Sequence, residues 1–321
     1  MNSFRRKVRA LSWAAVLLAL WTAAGIAFSP EGRNARISRY RLLVPDPAEI
    51  QVLQITVPEG DLSFRRLGGA WTLEGDGRSL PVRAERVEAY LETLGAVRSL
   101  SEVSRAESSW KDLGLEEASA RRVRLLLKDG SAAADFRVGR YAPDGSRVFL
   151  RMEGNPRGFA APAAIASRLP GSRKAWLDLR LFGEAVPLED VQSLRISGYL
   201  RFPDGSVFRA EYGLDQNRSG VWSSPQIPGL DPSAAGRLVR SWMSAEAEDF
   251  SDRGPEAGPV FRADLATGGG AVRSLRISAI PEPEGWYRAS LTGSGRYFRM
   301  SPWLLKDLLK APEDLSASPR R

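Results

Sequence analysis

"IQVLQI" occupies residues 50–55, and 141 residues later the chain writes "VQSLRI" at 191–196. A single six-residue echo in a hydrophobic strand is close to chance. What decides the fold is whether the elements after it also recur. Beyond the first strand, Leu62, Phe64 and Leu67 alternate with polar residues, "GG" at 68–69 turns the chain into "AWTL", and Trp71 and Leu73 share one face. A helix follows, with Val87, Tyr90, Leu91, Leu94 and Val97 on one apolar stripe. Such a helix lies on a sheet rather than running through a core. Val123, Leu125 and Leu127 alternate into a strand, "KDGS" at 128–131 closes a hairpin, and Phe136 and Val138 return on the partner. "SRVFLRM" (146–152) and "RGFAA" (157–161) read as strands. "PAAIASRL" (162–169) reads as a short helix with Pro162 in its first turn, and "KAWLDLRLF" (174–182) completes the unit.

The same order runs again from Val191. "YLRFPDGSVFRAEYG" (199–213) is a hairpin turning at Asp204-Gly205, and Trp222 in "GVWSS" answers Trp71. Ala235, Leu238, Val239 and Trp242 form a second helical stripe. "PVFRADLATGGGAVRSLRIS" (259–278) repeats the strand–turn–strand, "GWYRASLTG" (285–293) answers "SRVFLRMEG", and "RYFRMSPWLLKDLL" (296–309) answers "RGFAAPAAIASRL" with Pro302 in the place of Pro162. The offset drifts from 141 at the first strand to 151 at the tryptophans and 140 at the prolines, as loops of changed length allow. Seven landmarks in one order predict an internal duplication. The expected fold is α+β: two tandem repeats, each an antiparallel sheet with one packed helix, at residues 50–182 and 191–310. Residues 183–190 link them, and 311–321 read as a disordered tail.

Composition narrows the chemistry. The 321 residues contain no cysteine and no histidine, so disulfides, thiolate or imidazole metal ligands, histidine bases and Ser–His triads are excluded. Carboxylate, lysine or Mg²⁺-dependent chemistry stays open. The formal charge is +8, of which Arg5, Arg6, Lys7 and Arg9 supply half; the rest is spread along the chain and carried almost entirely by arginine. That is no basic stripe of the kind nucleic acid requires.

Residues 10–30, "ALSWAAVLLALWTAAGIAFSP", carry no charge and would span about 30 Å as a helix, the thickness of a bilayer's hydrocarbon core. Leu11, Trp13, Val16, Leu17, Leu18, Leu20, Trp21, Ile26 and Phe28 are the expected anchor residues. The basic tail 1–9, through Arg5, Arg6, Lys7 and Arg9, sets the topology with the N-terminus in the cytoplasm and the body outside it. Residues 31–49 then form a polar, proline-containing linker. A cleaved signal peptide is the competing reading. The expected location is the bacterial cytoplasmic membrane.

The order of Trp71-x-Leu73, the striped helix, "DLGLEEASARRVRL" (112–125), "FRVG" (136–139), "RVFLR" (147–151) and "KAWLDLRL" (174–181) resembles the bacterial family known as domain of unknown function 4340. The most specific pieces are Leu113-Gly114-Leu115, Val138-Gly139 and Asp178-Leu179-Arg180. The second half lacks a counterpart of the first and the last. The resemblance implies an N-terminal membrane anchor, an extracytoplasmic body and genes lying beside ABC-type export components like those of gliding motility. It implies no catalytic residues.

Other candidate sites read as structure. "ATGGGAV" (266–272) is Gly-rich but joins two strands without a following lysine, so it is a hairpin turn and no phosphate loop. "NRS" at 217–219 is a chance glycosylation pattern in a bacterial chain. Glu116-Glu117 and Glu246/Glu248 read as solvated surface. Trp71 and Trp222 are expected in the core. Trp286, Tyr287, Tyr297 and Trp303 are the candidate interface residues, in an aromatic-rich stretch that strand alternation makes mainly core. No cofactor is expected. The expected role is a non-enzymatic, membrane-anchored accessory or scaffold protein of an ABC-type exporter, binding integral membrane subunits through a sheet face, a sheet edge or the groove between repeats. The alternative is a periplasmic module that binds or senses a polymer or lipid.

Overall fold

The computed structural model describes residues 46–57, 60–75, 77–183, 186–256, 258 and 260–317. The expected basic tail with Arg5, Arg6, Lys7 and Arg9, the anchor segment 10–30 and the linker up to residue 45 lie outside the described residues. No helix among the described residues is long and apolar enough to cross a membrane. The chain divides into two compact units between Trp176 and Leu177.

Unit 1 builds β1 (Val52–Val57), β2 (Gly60–Leu67), β3 (Ala70–Gly75), β4 (Arg78–Pro81), helix α1 (Ala84–Gly95), β5 (Ser101–Ser104), the single turn α2 (Trp110–Leu113), β6 (Arg121–Leu126), β7 (Ala132–Tyr141), β8 (Arg147–Met152), β9 (Gly158–Pro162) and α3 (Ala164–Ser167). Its antiparallel sheet runs β4-β3-β2-β1-β6-β7-β8-β9-β5. Unit 2 builds β10 (Val191–Arg201), β11 (Val207–Gln216), β12 (Trp222–Ser223), helix α4 (Pro232–Ser244), β13 (Asp249–Phe250), β14 (Val260–Thr267), β15 (Val272–Ser278), β16 (Tyr287–Leu291), β17 (Arg296–Met300) and α5 (Pro302–Leu308). Its sheet runs β12-β11-β10-β14-β15-β16-β17-β13. With β4 set aside, the two orders are the same permutation of strands taken in chain order. The expected α+β duplication is therefore present in the topology.

Register carries the match to single residues. Leu53 pairs with Phe64 and Leu125, and Ile55 with Leu62 and Val123. Leu194 pairs with Leu214 and Leu265, and Ile196 with Tyr212 and Ala263. Every one of these is buried against its unit's core. A one-residue slip would turn the whole apolar set to solvent, so the alternation holds each register in place. The helix stripes also coincide: Val87, Tyr90, Leu91 and Leu94 on α1 take the places of Ala235, Leu238, Val239 and Trp242 on α4, and all eight are buried. Asp231 caps α4 by accepting from the Ser233 N–H at 2.8 Å with Pro232 in the first turn, whereas Arg83 gives α1 no side-chain cap. In unit 1 the core centres on Trp176, whose ring lies 5.0 Å from Phe64 and edge-on to Tyr90 at 6.3 Å.

Hairpins turn where the sequence writes Asp-Gly-Ser. At Asp129, Asp144 and Asp204 the carboxylate accepts from the backbone N–H two residues on, and the intervening glycine has φ of 82°, 68° and 85°.

Four expectations are corrected. The first copy ends at Trp176 rather than Phe182, because Leu177–Phe182 is bonded into unit 2: the Leu181 N–H donates to the Ala245 carbonyl, the Ala247 N–H to the Leu179 carbonyl, and Arg273 to the Phe182 carbonyl at 2.6 Å. The closing bond is itself duplicated. The Arg83 N–H donates to the Trp176 carbonyl at 2.9 Å, and the equivalent Asp231 N–H to the Leu315 carbonyl at 2.8 Å. For the same reason the tail is ordered as far as Ala317, with Leu315 buried under a 3-10 turn at Pro312–Leu315. Pro162 ends β9 rather than opening α3; by register its counterpart is Ser301, the cap of α5, and Pro302 answers Ala163. The end of the expected linker, Pro47–Glu49, forms a 3-10 turn capped by Asp46.

Candidate functional site

Strand alternation gives each sheet an inner face, carrying the helix, and an outer face. On the outer face of unit 1, Thr56, Arg122, Arg137 and Arg151 follow one another across β1, β6, β7 and β8 as direct cross-strand partners. Three arginines in a row repel unless their charges are met. Arg122 makes a bidentate pair with Asp135, at 2.9 and 2.8 Å. Arg137 is 3% exposed and bonds Glu117 at 2.8 Å and Glu153 at 3.2 Å. Arg151 is 6% exposed, donates to the Leu115 carbonyl at 2.9 Å, and lies with its guanidinium carbon 4.0 Å from the centre of the Trp110 ring. Burial draws the Arg151 pKa down.

The cover over this row is the segment Glu107–Ala120, which holds the Leu113-Gly114-Leu115 motif. Gly114 ends α2 at φ 65°, and the Leu115 N–H reaches back to the Trp110 carbonyl at 2.8 Å. The turn presses backbone on backbone: a Cβ on Gly139 would stand 2.5 Å from the Leu113 carbonyl oxygen, and one on Gly158 would stand 2.8 Å from Leu113 Cδ1. The separate motif pieces Leu113-Gly114-Leu115 and Val138-Gly139 are thus one contact.

In unit 2 the equivalent row is Ser197, Arg262, Arg276 and Ser290, continuing to Tyr297. Arg262 and Arg276 stand directly opposite each other, both exposed, and neither forms an ion pair among the described residues. Beside each row is a groove at equivalent positions. In unit 1 it has about 180 Å³ and is lined by Gln54, Thr56, Asp61 and Arg124; in unit 2 it has about 550 Å³ and is lined by Arg195, Ser197, Glu211 and Asp264. One oxygen of Asp264 is buried there without a hydrogen-bond partner among the described residues. A third cleft of about 420 Å³, lined by Ile280, Pro281, Glu282 and Arg288, has its arginine paired with Glu282 and with Glu256 at 3.2 Å.

Asp178 of the third motif piece is 3% exposed in unit 2, where Arg180 meets it at 2.5 Å and Arg296 at 3.1 Å. Burial alone raises its pKa; the hydrogen bonds and charges of the two arginines outweigh that and hold it below the usual carboxylate range.

Of the candidate interface residues, Trp303 is 78% exposed and Tyr297 39% exposed. Trp286 is half-buried with the Arg299 guanidinium carbon 5.0 Å from its ring centre. Tyr287 does not belong with them: its ring is fully buried, its hydroxyl donates to the Arg201 carbonyl at 2.7 Å, and burial pushes its pKa up to about 12. Trp71 and Trp222 are core residues. The Trp71 Nε1–H donates to Glu88 at 2.8 Å, and the Trp222 ring lies over Gly236, which takes the place of Glu88 on α4. The glycines of 268–270 sit in the β14–β15 turn. Glu117 is exposed, as expected of a surface residue, and pairs from there with Arg137; Glu248 accepts from Ser301 at 3.1 Å. No three carboxylates among the described residues gather as a metal site would require.

A protein-family model, described as Domain of unknown function (DUF4340), matches residues 71–260, more than half of the chain. No curated protein and no solved structure matches.

Proposed function

We propose that this chain, which belongs to the DUF4340 family, is a non-enzymatic scaffold protein of a membrane complex, an ABC-type exporter. Residues 10–30 anchor it in the bacterial cytoplasmic membrane, and the two sheet modules stand outside the cytoplasm. One observation carries the reading. The two copies keep the same strand order and the same outer-face row, yet the arginines of one row are met by its own chain, while in the other the chain reaches only Ser290 and Tyr297, through Gly254, and leaves Arg262 and Arg276 exposed. A duplicated module that loses its cover in one copy has kept a structural unit and gained a surface for binding. The exposed Trp303 on α5 adds an apolar contact of the kind enriched at interfaces.

The test is purification of the tagged full chain from its native membrane in mild detergent, with identification of the proteins that accompany it. Integral membrane subunits in constant ratio to the chain support the scaffold. A chain that emerges alone and monomeric contradicts it, as does a C-terminal reporter fusion that is active only in the cytoplasm.

A further inference from the structure

We infer that the bare row of unit 2, Arg262 and Arg276, is the docking site for an acidic polypeptide segment of a partner protein. The argument is a subtraction between the two copies. In unit 1 three carboxylates neutralise the arginine row: Asp135, Glu153 and Glu117. Register assigns their counterparts. Asp135 corresponds to Ser274 and Glu153 to Thr292, since the Glu153 N–H donates to the Asp135 carbonyl just as the Thr292 N–H donates to the Ser274 carbonyl. Glu117 has no counterpart, because the chain between β13 and β14 is seven residues shorter than that between β5 and β6. All three acids are gone, and both arginines remain.

Two arginines kept opposite each other on adjacent strands cost stability when nothing lies between them. Asp264 and Glu211 stand on the same face, Glu256 and Glu282 are taken up by Arg288, and none of the four forms an ion pair with Arg262 or Arg276. A carboxylate laid across the pair would accept from both guanidinium groups, where in unit 1 Asp135 meets Arg122 and Glu117 meets Arg137. The ligand in unit 1 is polypeptide, in a turn reading Leu115-Glu116-Glu117-Ala118 and closed by the Ala120 N–H on the Glu116 carbonyl, and that favours polypeptide for unit 2. The partner segment does not copy the Leu113-Gly114 turn. Gly139 and Gly158, which admit that turn, are replaced by Ser278 and Tyr297. It therefore brings acidic residues without that turn and meets the exposed edge of Tyr297.

This inference deepens the scaffold reading and rests on it. Its test uses the purified full chain in detergent and a fluorescein-labelled peptide that repeats Leu-Glu-Glu-Ala three times, followed by fluorescence anisotropy. Two variants report on the row: Arg262→Ser/Arg276→Ser removes the charges, and Ser274→Asp/Thr292→Glu restores the acids of unit 1 and so fills the site from within. The expected result is saturable binding that both double variants weaken at least tenfold, with no binding of the peptide in which glutamine replaces glutamate. Equal binding by wild type and both variants, or no binding by wild type, overturns the proposal. Arginine-dependent binding to phosphatidylglycerol vesicles but not to the peptide assigns the row to lipid and overturns it as well. Peptide binding together with a failed co-purification leaves the site standing and removes the exporter scaffold, so the two failures are distinguishable.

Discussion

Replacing Gly139 by alanine puts one methyl group where unit 1 has no room for it. The added Cβ would lie 2.5 Å from the Leu113 carbonyl oxygen, 2.9 Å from the Gly114 carbonyl oxygen and 2.9 Å from Leu115 Cδ2. Two of the three obstacles are backbone, so no side-chain rotation relieves them. The Leu113-Gly114-Leu115 turn must lift, and with it go the Arg151 bond to the Leu115 carbonyl and the seat of Trp110 on Arg151. Overpacking of a tight site costs about 1–3 kcal/mol. A lost hydrogen bond to a buried charged group adds about 1.5–3 kcal/mol. A total of about 3–5 kcal/mol lowers the Tm of a unit of this size by roughly 10–15 °C. Gly171→Ala is the control: its Cβ meets nothing within 4 Å and its φ is not positive, so it should change Tm little. The assay is differential scanning calorimetry of the two variants, with tryptophan fluorescence to follow Trp110. If Gly139→Ala melts with Gly171→Ala, the turn is not packed on the sheet and the covered row of unit 1 is wrongly described.

Asp178→Asn should destabilise unit 2 by about 2 kcal/mol at pH 7, because a buried carboxylate held by two arginines is lost. Its folded pKa is depressed, so its contribution is fully present above the unfolded carboxylate pKa of about 4 and fades as pH falls below it. Calorimetry at pH 7 and pH 3 should show the gap to wild type shrinking in acid; a gap that widens refutes the assignment. Gly236→Ala should stabilise α4 by about 0.5–1 kcal/mol through helix propensity, since its Cβ would meet Trp222 only at an ordinary 3.5 Å. A drop in Tm would mean the helix lies closer to Trp222 than described.

Much of the duplication is legible in the chain. The stripes on α1 and α4 and the two tryptophans are local patterns set by period, and burial follows them residue for residue. What escapes is set by pairing over long distance. β5 and β13 are four and two residues long, too short to show alternation, and exist only because β9 and β17 offer them an edge. The end of the first copy is hidden because Trp176 and Leu177 are both apolar, and only the bond from Arg83 separates them. The arginines of "RRVR" and "FRADL" are visible, but which arginines face each other depends on register between strands far apart in sequence. Glu117 is exposed as its sequence suggests, but its pairing is hidden because Arg137, its partner, lies twenty residues on. Alternation makes the stretch around Tyr287 mainly core, and its burial agrees, but alternation alone does not say which aromatics of β16 lie on the covered face.

The measurement that bears most directly on this account is a pair of melts, Arg137→Ser against Arg276→Ser. The two arginines hold equivalent places in the two copies. Removing Arg137 leaves Glu153 with only the longer 3.9 Å approach of Arg151 and releases Glu117, and after discounting for the exposure of those partners it should cost about 2 kcal/mol, or roughly 5–8 °C. Removing Arg276 relieves repulsion with Arg262 and should leave Tm unchanged or raise it by up to about 0.5 kcal/mol's worth. A loss of stability at position 137 and none at position 276 is the predicted result. An equal loss of stability at both positions would contradict the claim that one copy covers its arginine row and the other keeps it open.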